Sequence, residues 1–310
     1  MTRRRSSLPF IIGAVLLLGL AGFIAAQFSG CQPASQATQA SRPTAALPIR
    51  IEEIRQTADD QPIRGWAALV DLSDPRVEIR VTGPCEPKAD EPPRTEAYTE
   101  TTLDWLRREG LVLAVNAHFF VRLDDGEGQV PAGIPVYLLG PCRSAGRVVA
   151  PGPEDGKASP VLAVTEDGRA RIAMLTPREL DKMDAVVSGL PELDGESGGL
   201  LVENGKSLGQ TSLPRPTERH PRTAVGLSAD NRTLILVVID GREPAWSIGV
   251  TLPELADILI ELGATTAVNL DGGGSSSFIF APPGGEQVTN RPSDGPWRPV
   301  GASLGVYVRR

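Results

Sequence analysis

Cysteine, histidine and methionine are scarce here: the 310 residues hold three, two and three of them. Beyond residue 31 the cysteines are Cys85 and Cys142, and with no histidine pair beside them they make a poor zinc site. Nucleotide-binding loops are also missing. A phosphate-binding loop needs Gly, four residues, then Gly-Lys-Ser/Thr, but for Gly205-Lys206-Ser207 the required Gly at 200 is Leu200, with Gly199 one place early. No Gly-x-Gly-x-x-Gly follows a strand-like run and opens a helix, so the dinucleotide fingerprint fails too. Ser275, Ser276 and Ser277 lack the following Gly of a nucleophile elbow. Positive charge is in deficit: 31 Lys and Arg face 38 Asp and Glu, a formal net charge of −7. Residues 1–30 contain Arg3, Arg4 and Arg5 and no acid, so the rest of the chain is more acidic still. Such a body repels nucleic acid and anionic lipid, and no nucleic-acid partner is expected.

What is present supports a large buried core, with 41% hydrophobic residues. Arg3 to Arg5 precede a charge-free apolar stretch, Leu8 to Phe28, which reads as an export segment over residues 1–30. It is either a cleaved signal or an uncleaved membrane anchor with the arginines inside. "FSGC", ending at Cys31, resembles a lipoprotein cleavage box, although Phe28 stands where Leu is usual, and adds lipid attachment as a third outcome. Each outcome makes the body extracytoplasmic, touching membrane only through its N-terminal segment. In an oxidising compartment Cys85 and Cys142 would form one disulfide, with two unpaired thiols as the alternative. Residues 31–48 are small, polar and Pro-punctuated, a disordered linker. The folded body is a single large domain, 49–310. Nothing in the sequence sets its oligomeric state.

Thr251 with Glu254 forms a capping box, and Leu252, Leu255, Leu259 and Leu262 repeat at helical spacing before Gly263. A weaker helix runs from about Thr101 to Gly110. Each leads into an apolar strand passing through Ala-Val-Asn, "LVLAVN" and "TTAVNLD", so each strand delivers an amide, Asn116 or Asn269, at its end. "TLILVVID", Thr233 to Asp240, is apolar throughout and is expected to be covered on both faces. "RTAVGLS" precedes it across a turn at Ala229 to Asn231, a hairpin that sets Arg222 roughly opposite Asp240. Asn204-Gly205 marks another hairpin. The fold expected from these runs is α/β in the mixed α+β sense, a mixed β-sheet with hairpins and covering helices.

Polar groups gather at the strand ends. The loop "DGGGSSS" puts Gly272, Gly273 and Gly274 behind Asp271, where backbone N–H groups could face an anionic ligand, with Ser275 and Ser276 as further donors. A wide turn is the plainer reading of the same glycines. Arg219, Arg222, Arg242, Arg291 and Arg298 fall in or beside these loops and point to a compact anion. Pairing with Asp240 or Asp294 would instead make them structural. His118 is a structural or a catalytic histidine, and His220 lies two residues from Arg222. Asp240, Asp271 and Asn269 could coordinate Ca²⁺ or Mg²⁺ through oxygen, or pair with the arginines.

In order, "AVNAHFF", "AVVSGLP", "ERHPRTAVGLS", "LVVIDGR", "GVTLPELADILIELGATTAVNLDGGGSSSF" and "NRPSDGPWRPV" resemble the phosphodiester glycosidase family, over about Leu111 to Val308. The resemblance implies hydrolysis of a sugar-1-phosphodiester, or of a related polysaccharide conjugate of the cell envelope. By position it places Asn116, Arg222, Asp240, Arg242, Asn269, Asp271 and Gly272 to Ser276 in the pocket, with His220 and Arg298 at its rim. Thr223 and Gly241 fall inside the same motifs, and His118 beside Asn116. Asp271, Asp240 and His220 are the candidate acid–base groups. The chain departs from the family pattern at Trp297, where an acid often precedes the arginine, and residues 49–100 match nothing in it. The rival reading is a non-catalytic envelope protein that binds or organises exopolysaccharide.

Overall fold

In the computed structural model, which describes residues 46–191, 198–295 and 297–309, the strand Thr233–Ile239 divides its side chains by parity. Leu234, Leu236 and Val238 enter one core; Ile235, Val237 and Ile239 enter another. An alternating strand that is apolar on both sides belongs inside a sheet. It is the third of seven, in the order Ile49–Ala58, Gln61–Asp71, Thr233–Ile239, Arg222–Leu227, Thr266–Asn269, Leu200–Glu203, Lys206–Ser207. Every pairing in this sheet is antiparallel.

The helix Leu252–Glu261 (α2) covers one face of that sheet, and Leu252, Leu255, Ala256, Ile258 and Leu259 share a core with Ala224 and Ile235. Thr251 and Glu254 form its capping box, and Gly263 follows at φ +98°. The other face packs toward two five-stranded antiparallel sheets. One runs Ala170–Leu175, Ser159–Val164, Ala185–Ser188, Cys142–Ser144, Arg147–Ala150; the other runs Val288–Thr289, Phe278–Phe280, Leu113–Asn116, Ser303–Val308, Val77–Val81. A three-stranded sheet, Ala97–Tyr98, Pro135–Leu138, Phe120–Arg122, completes the set. The helix Thr102–Glu109 (α1), with Thr101 as N-cap and Gly110 at φ +65°, buries Trp105 and Leu106 against Leu111, Ala114 and Ile279.

The fold is thus mostly β, with two α-helices among the described residues. The α/β expectation overstated the helices, because a uniformly apolar strand between two covered faces looks the same whether a helix or another sheet covers it. Asn204 and Gly205 both have positive φ, as the sharp hairpin they close requires. The disulfide is corrected as well: Cys85 and Cys142 are free thiols. The unit Ala46–Arg310 contains the whole described fold. Among the described residues no helix is long and apolar enough to cross a membrane. The export segment, Cys31 and nearly all of the linker lie outside the described residues.

Candidate active site

Asn116 and Asn269 end strands of different sheets, and both are buried, 0% and 1% exposed. Asn116 is a junction. Its Nδ2 donates to Asp271 O at 2.5 Å, and its Oδ1 accepts from Thr223 Oγ1 at 2.6 Å and from Ser277 N at 3.1 Å. One amide thus ties three chain segments and clamps both ends of the glycine loop. Asn290 holds the loop's C-terminal end from the other side, donating to Asp240 Oδ1 and Ser276 O, both at 3.0 Å, and accepting from Phe278 N at 2.8 Å. Asn116, Thr223 and Asn269 accordingly lie behind the site, holding its wall. Asn269 Nδ2 donates to Leu213 O at 3.0 Å.

In front of this frame opens a cavity of about 240 Å³, lined by Phe119, Pro214, Arg215, His220, Arg222, Arg242 and Asp271 to Gly273. Asp271 is its carboxylate. Burial pushes the carboxyl up to about 6, against the lowering pull of the Ser275 hydroxyl, the Arg298 charge and the Gly272 amide. The glycines bring backbone close to backbone. Gly273 has φ +59° and donates its N–H to Pro221 O at 2.8 Å, while a Cβ on Gly272 would stand 2.8 Å from that same carbonyl. Gly272 N donates to Asp271 Oδ1 at 2.9 Å. These two amides are therefore engaged within the protein, and the anion-binding nest expected of the loop is not formed by them. The loop instead presents Asp271.

The five arginines separate by partner. Arg219 forks onto Glu254 at the start of α2, both bonds 2.7 Å, and Arg291 pairs with Glu243 at 2.6 Å. Those two are structural. Arg222 is 3% exposed, and it donates to the carbonyls of Pro214, Arg215, Glu218 and Val250 at 2.9–3.4 Å; it hydrogen-bonds no carboxylate among the described residues, although the Glu218 charge is near enough to favour its charged form. Its pairing partner across the hairpin is Ile239, so Asp240 lies one residue beyond. Burial draws the guanidinium down to about 10, which leaves it charged at neutral pH. Arg242 and Arg298 share Asp294 loosely, at 3.4 and 4.0 Å. The cavity is therefore lined by the buried Arg222, the weakly neutralised Arg242 and Arg215, which pairs with Glu218 at 3.1 Å, around a single carboxyl.

Asp240 is committed elsewhere. Its carboxylate accepts from Trp246 Nε1 at 2.9 Å, Asn290 Nδ2 at 3.0 Å and Arg291 N at 3.1 Å. Burial raises its pKa, opposed by those bonds. It anchors the segment carrying Asp294 and does not line the cavity. Gly241 lets the chain pass Pro221, whose N would lie 2.7 Å from an added Cβ. His118 is fully buried with Nε2 at 3.1 Å from both Pro141 O and Ser188 N, and burial pushes it down to about 4. It is a neutral core histidine away from the cavity. His220 lines the cavity with Nε2 3.0 Å from Glu218 Oε2. Ser275 and Ser276 are buried, and Ser276 Oγ has no hydrogen-bond partner among the described residues.

A Ca²⁺ or Mg²⁺ ion at Asp240, Asp271 and Asn269 would need their oxygens to converge. Asp240's are taken by Trp246, Asn290 and Arg291, and no group of three or more His, Cys, Asp and Glu side chains among the described residues is placed to hold a metal. These residues do not fit such an ion. Sequence reasoning missed Arg215 and Pro214 on the cavity wall, where Phe119 also stands. Asn290 and Trp246 were missed too, since their roles depend on Asp240, 50 and six residues away.

Residues 109–307 match the family model for phosphodiester glycosidase. The chain belongs to the phosphodiester glycosidase family. The match covers α2, the Asp271 loop and every residue lining the cavity. Among solved structures it is similar to the zebrafish N-acetylglucosamine-1-phosphodiester alpha-N-acetylglucosaminidase catalytic domain, auto-inhibited by its pro-peptide, with TM-score 0.60 and 19% identity over 86% of this chain and 85% of that one. A Synechocystis protein aligns with TM-score 0.54 and 16% identity over 84% of this chain and 62% of its own. A Burkholderia pseudomallei protein gives 0.54 and 20%, over 81% and 75%. At these identities the likeness shows the fold. An SPbeta prophage-derived protein of Bacillus subtilis is 40% identical over 88 residues, 28% of this chain, and the match spans 13% of that protein's length.

Proposed function

We propose that this phosphodiester glycosidase family member hydrolyses a sugar-1-phosphodiester, releasing the sugar from a glycoconjugate of the cell envelope. One observation carries the reading: a carboxyl that burial pushes up to about 6 shares a small cavity with Arg215, Arg222 and Arg242, and Arg222 hydrogen-bonds backbone carbonyls and no carboxylate among the described residues. A buried guanidinium whose hydrogen bonds go to backbone carbonyls keeps its charge available to an anion entering the cavity. Guanidinium groups suit phosphate oxygens.

In the proposed reaction Asp271, as carboxylate, takes a proton from water while the water oxygen attacks the anomeric carbon. The bond from that carbon to the phosphate oxygen breaks, and its electron pair leaves with the phosphate monoester. Arg242 and Arg222 stabilise the charge that builds there. His220, bonded to Glu218, stands at the rim where the departing phosphate passes. Asp240 holds the wall and takes no proton. Running the hydrolysis in ¹⁸O-water tests the bond assignment. The label is expected in the sugar, and label in the phosphate overturns the assignment. A panel of sugar-1-phosphodiesters, assayed for free reducing sugar, tests the activity itself. Binding without release favours the polysaccharide-organising alternative.

A further inference from the structure

Beside the Asp271 cavity lies a second one of about 320 Å³, lined by Gly128, Gln129, Val130, Trp297 and Pro299, with Asp294 and Arg298 on its border. The two adjoin across an ion-pair strip. Arg242 walls the first cavity and reaches Asp294 at 3.4 Å; Asp294 reaches Arg298, which lines the second, at 4.0 Å. Arg298 is close enough to Asp271 for its charge to favour the carboxylate. Among the described residues Asp294 is the carboxylate that pairs with Arg298, at 4.0 Å, and Arg298 Nε has no hydrogen-bond partner.

We propose that the second cavity binds the other arm of the phosphodiester and selects an arm bearing an uncharged ring. The inference rests on the reading of the Asp271 cavity as a sugar-phosphodiester site. A phosphodiester has two ester arms. The reacting sugar must lie beside Asp271, so its phosphate meets Arg222 and Arg242 on the same wall and the remaining arm crosses the strip toward Arg298. The first cavity, about 240 Å³, is below the roughly 300 Å³ at which ordinary small-molecule pockets begin, so it does not hold both arms. The second has the wall such an arm needs. Val130 is buried, Trp297 and Pro299 are partly buried, and among the described residues the only acid lining the cavity is Asp294 on the strip. An indole face takes the C–H face of a sugar or an aromatic ring by the same dispersion contact.

The test uses the full chain and three diesters of one sugar 1-phosphate, esterified to methanol, to benzyl alcohol and to the 6-hydroxyl of a hexose. Wild-type kcat/KM is expected to favour a ring-bearing ester over the methyl ester at least tenfold; the benzyl and hexosyl arms show whether an aromatic or a sugar ring is preferred. Trp297→Ala and Gln129→Trp, which strip and fill the cavity, are expected to abolish that preference with the methyl ester unchanged. Trp297→Phe keeps a flat ring and is expected to retain it. Because Gln129 is an exposed loop residue, its variant reads the cavity even if Trp297→Ala fails to fold. Equal kcat/KM for the three esters in wild type, or equal loss on all three in Gln129→Trp, overturns the subsite while leaving the activity standing. No release from any ester by the wild-type protein overturns the activity, and the subsite with it.

Discussion

Asp271 is the residue on which stability and activity pull in opposite directions. Its folded carboxyl titrates near 6, above the usual carboxylate range, so the folded state holds the proton more tightly than the unfolded chain does. Its contribution to stability is therefore complete below the ordinary carboxylate pKa and is lost as pH rises through about 6. Activity runs the other way, since a general base must be ionised. Turnover is expected to climb with pH through about 6, following one ionisation. Asp271→Asn should remove that titration, so melting curves are expected to show a higher Tm than wild type at pH 8 and no difference at pH 4. Asp294 gives a second residue-scale expectation. Its pairs with Arg242 and Arg298 are long and half-exposed, each worth about 0.2–1 kcal/mol. Asp294→Asn is expected to lower KM for a phosphodiester two- to fivefold at low salt with kcat unchanged, and the gain should fade as ionic strength rises.

At the scale of elements, the site is a loop held between two asparagines. Asn116 and Asn290 supply the bonds that fix Asp271 to Phe278, and removing Asn116 orphans the Asp271 carbonyl, the Thr223 hydroxyl and the Ser277 amide. An orphaned buried polar group costs about 1–3 kcal/mol. Asn116→Ala is expected to lose at least about 2 kcal/mol in denaturant unfolding, and activity beyond what residual folding explains. Much of this element-scale picture was legible in the sequence. The capping box of α2, the Asn204-Gly205 turn and the amides ending the two Ala-Val-Asn strands are written in adjacent residues, because caps and turns are local chemistry. Which arginines stay unpaired was not. Arg219 meets Glu254, and Arg291 meets Glu243, across gaps that only the folded chain closes. The Gly273 amide was hidden for the same reason: Pro221 O, remote in sequence, accepts its N–H.

For the molecule as a whole, the core is shared among sheets, and the helices cover two outer faces. Period and apolarity announced buried strands but not what buries them, so the sequence suggested more helix than is present. The cysteines show the same limit. Even pairing and export suggested a bridge, yet a bridge needs Cα atoms within about 7 Å, and no composition reports that. Cys142 is fully buried with its thiol pushed well up by burial, and Cys85 is half-buried. Reducing agent is therefore expected to leave the Tm of the folded unit unchanged; a fall of several degrees would contradict the free thiols.

The claim that joins these scales is that the antiparallel frame turns Asp271 and its arginines toward one phosphodiester. Its most direct measurement is reducing-sugar release from a panel of sugar-1-phosphodiesters by wild-type protein and by Asp271→Asn, with binding of the same esters followed by calorimetry. The account expects release by the wild type and at least a hundredfold loss in the variant at near-unchanged affinity. Tight binding with no release by wild type, or equal release by the two proteins, would contradict it.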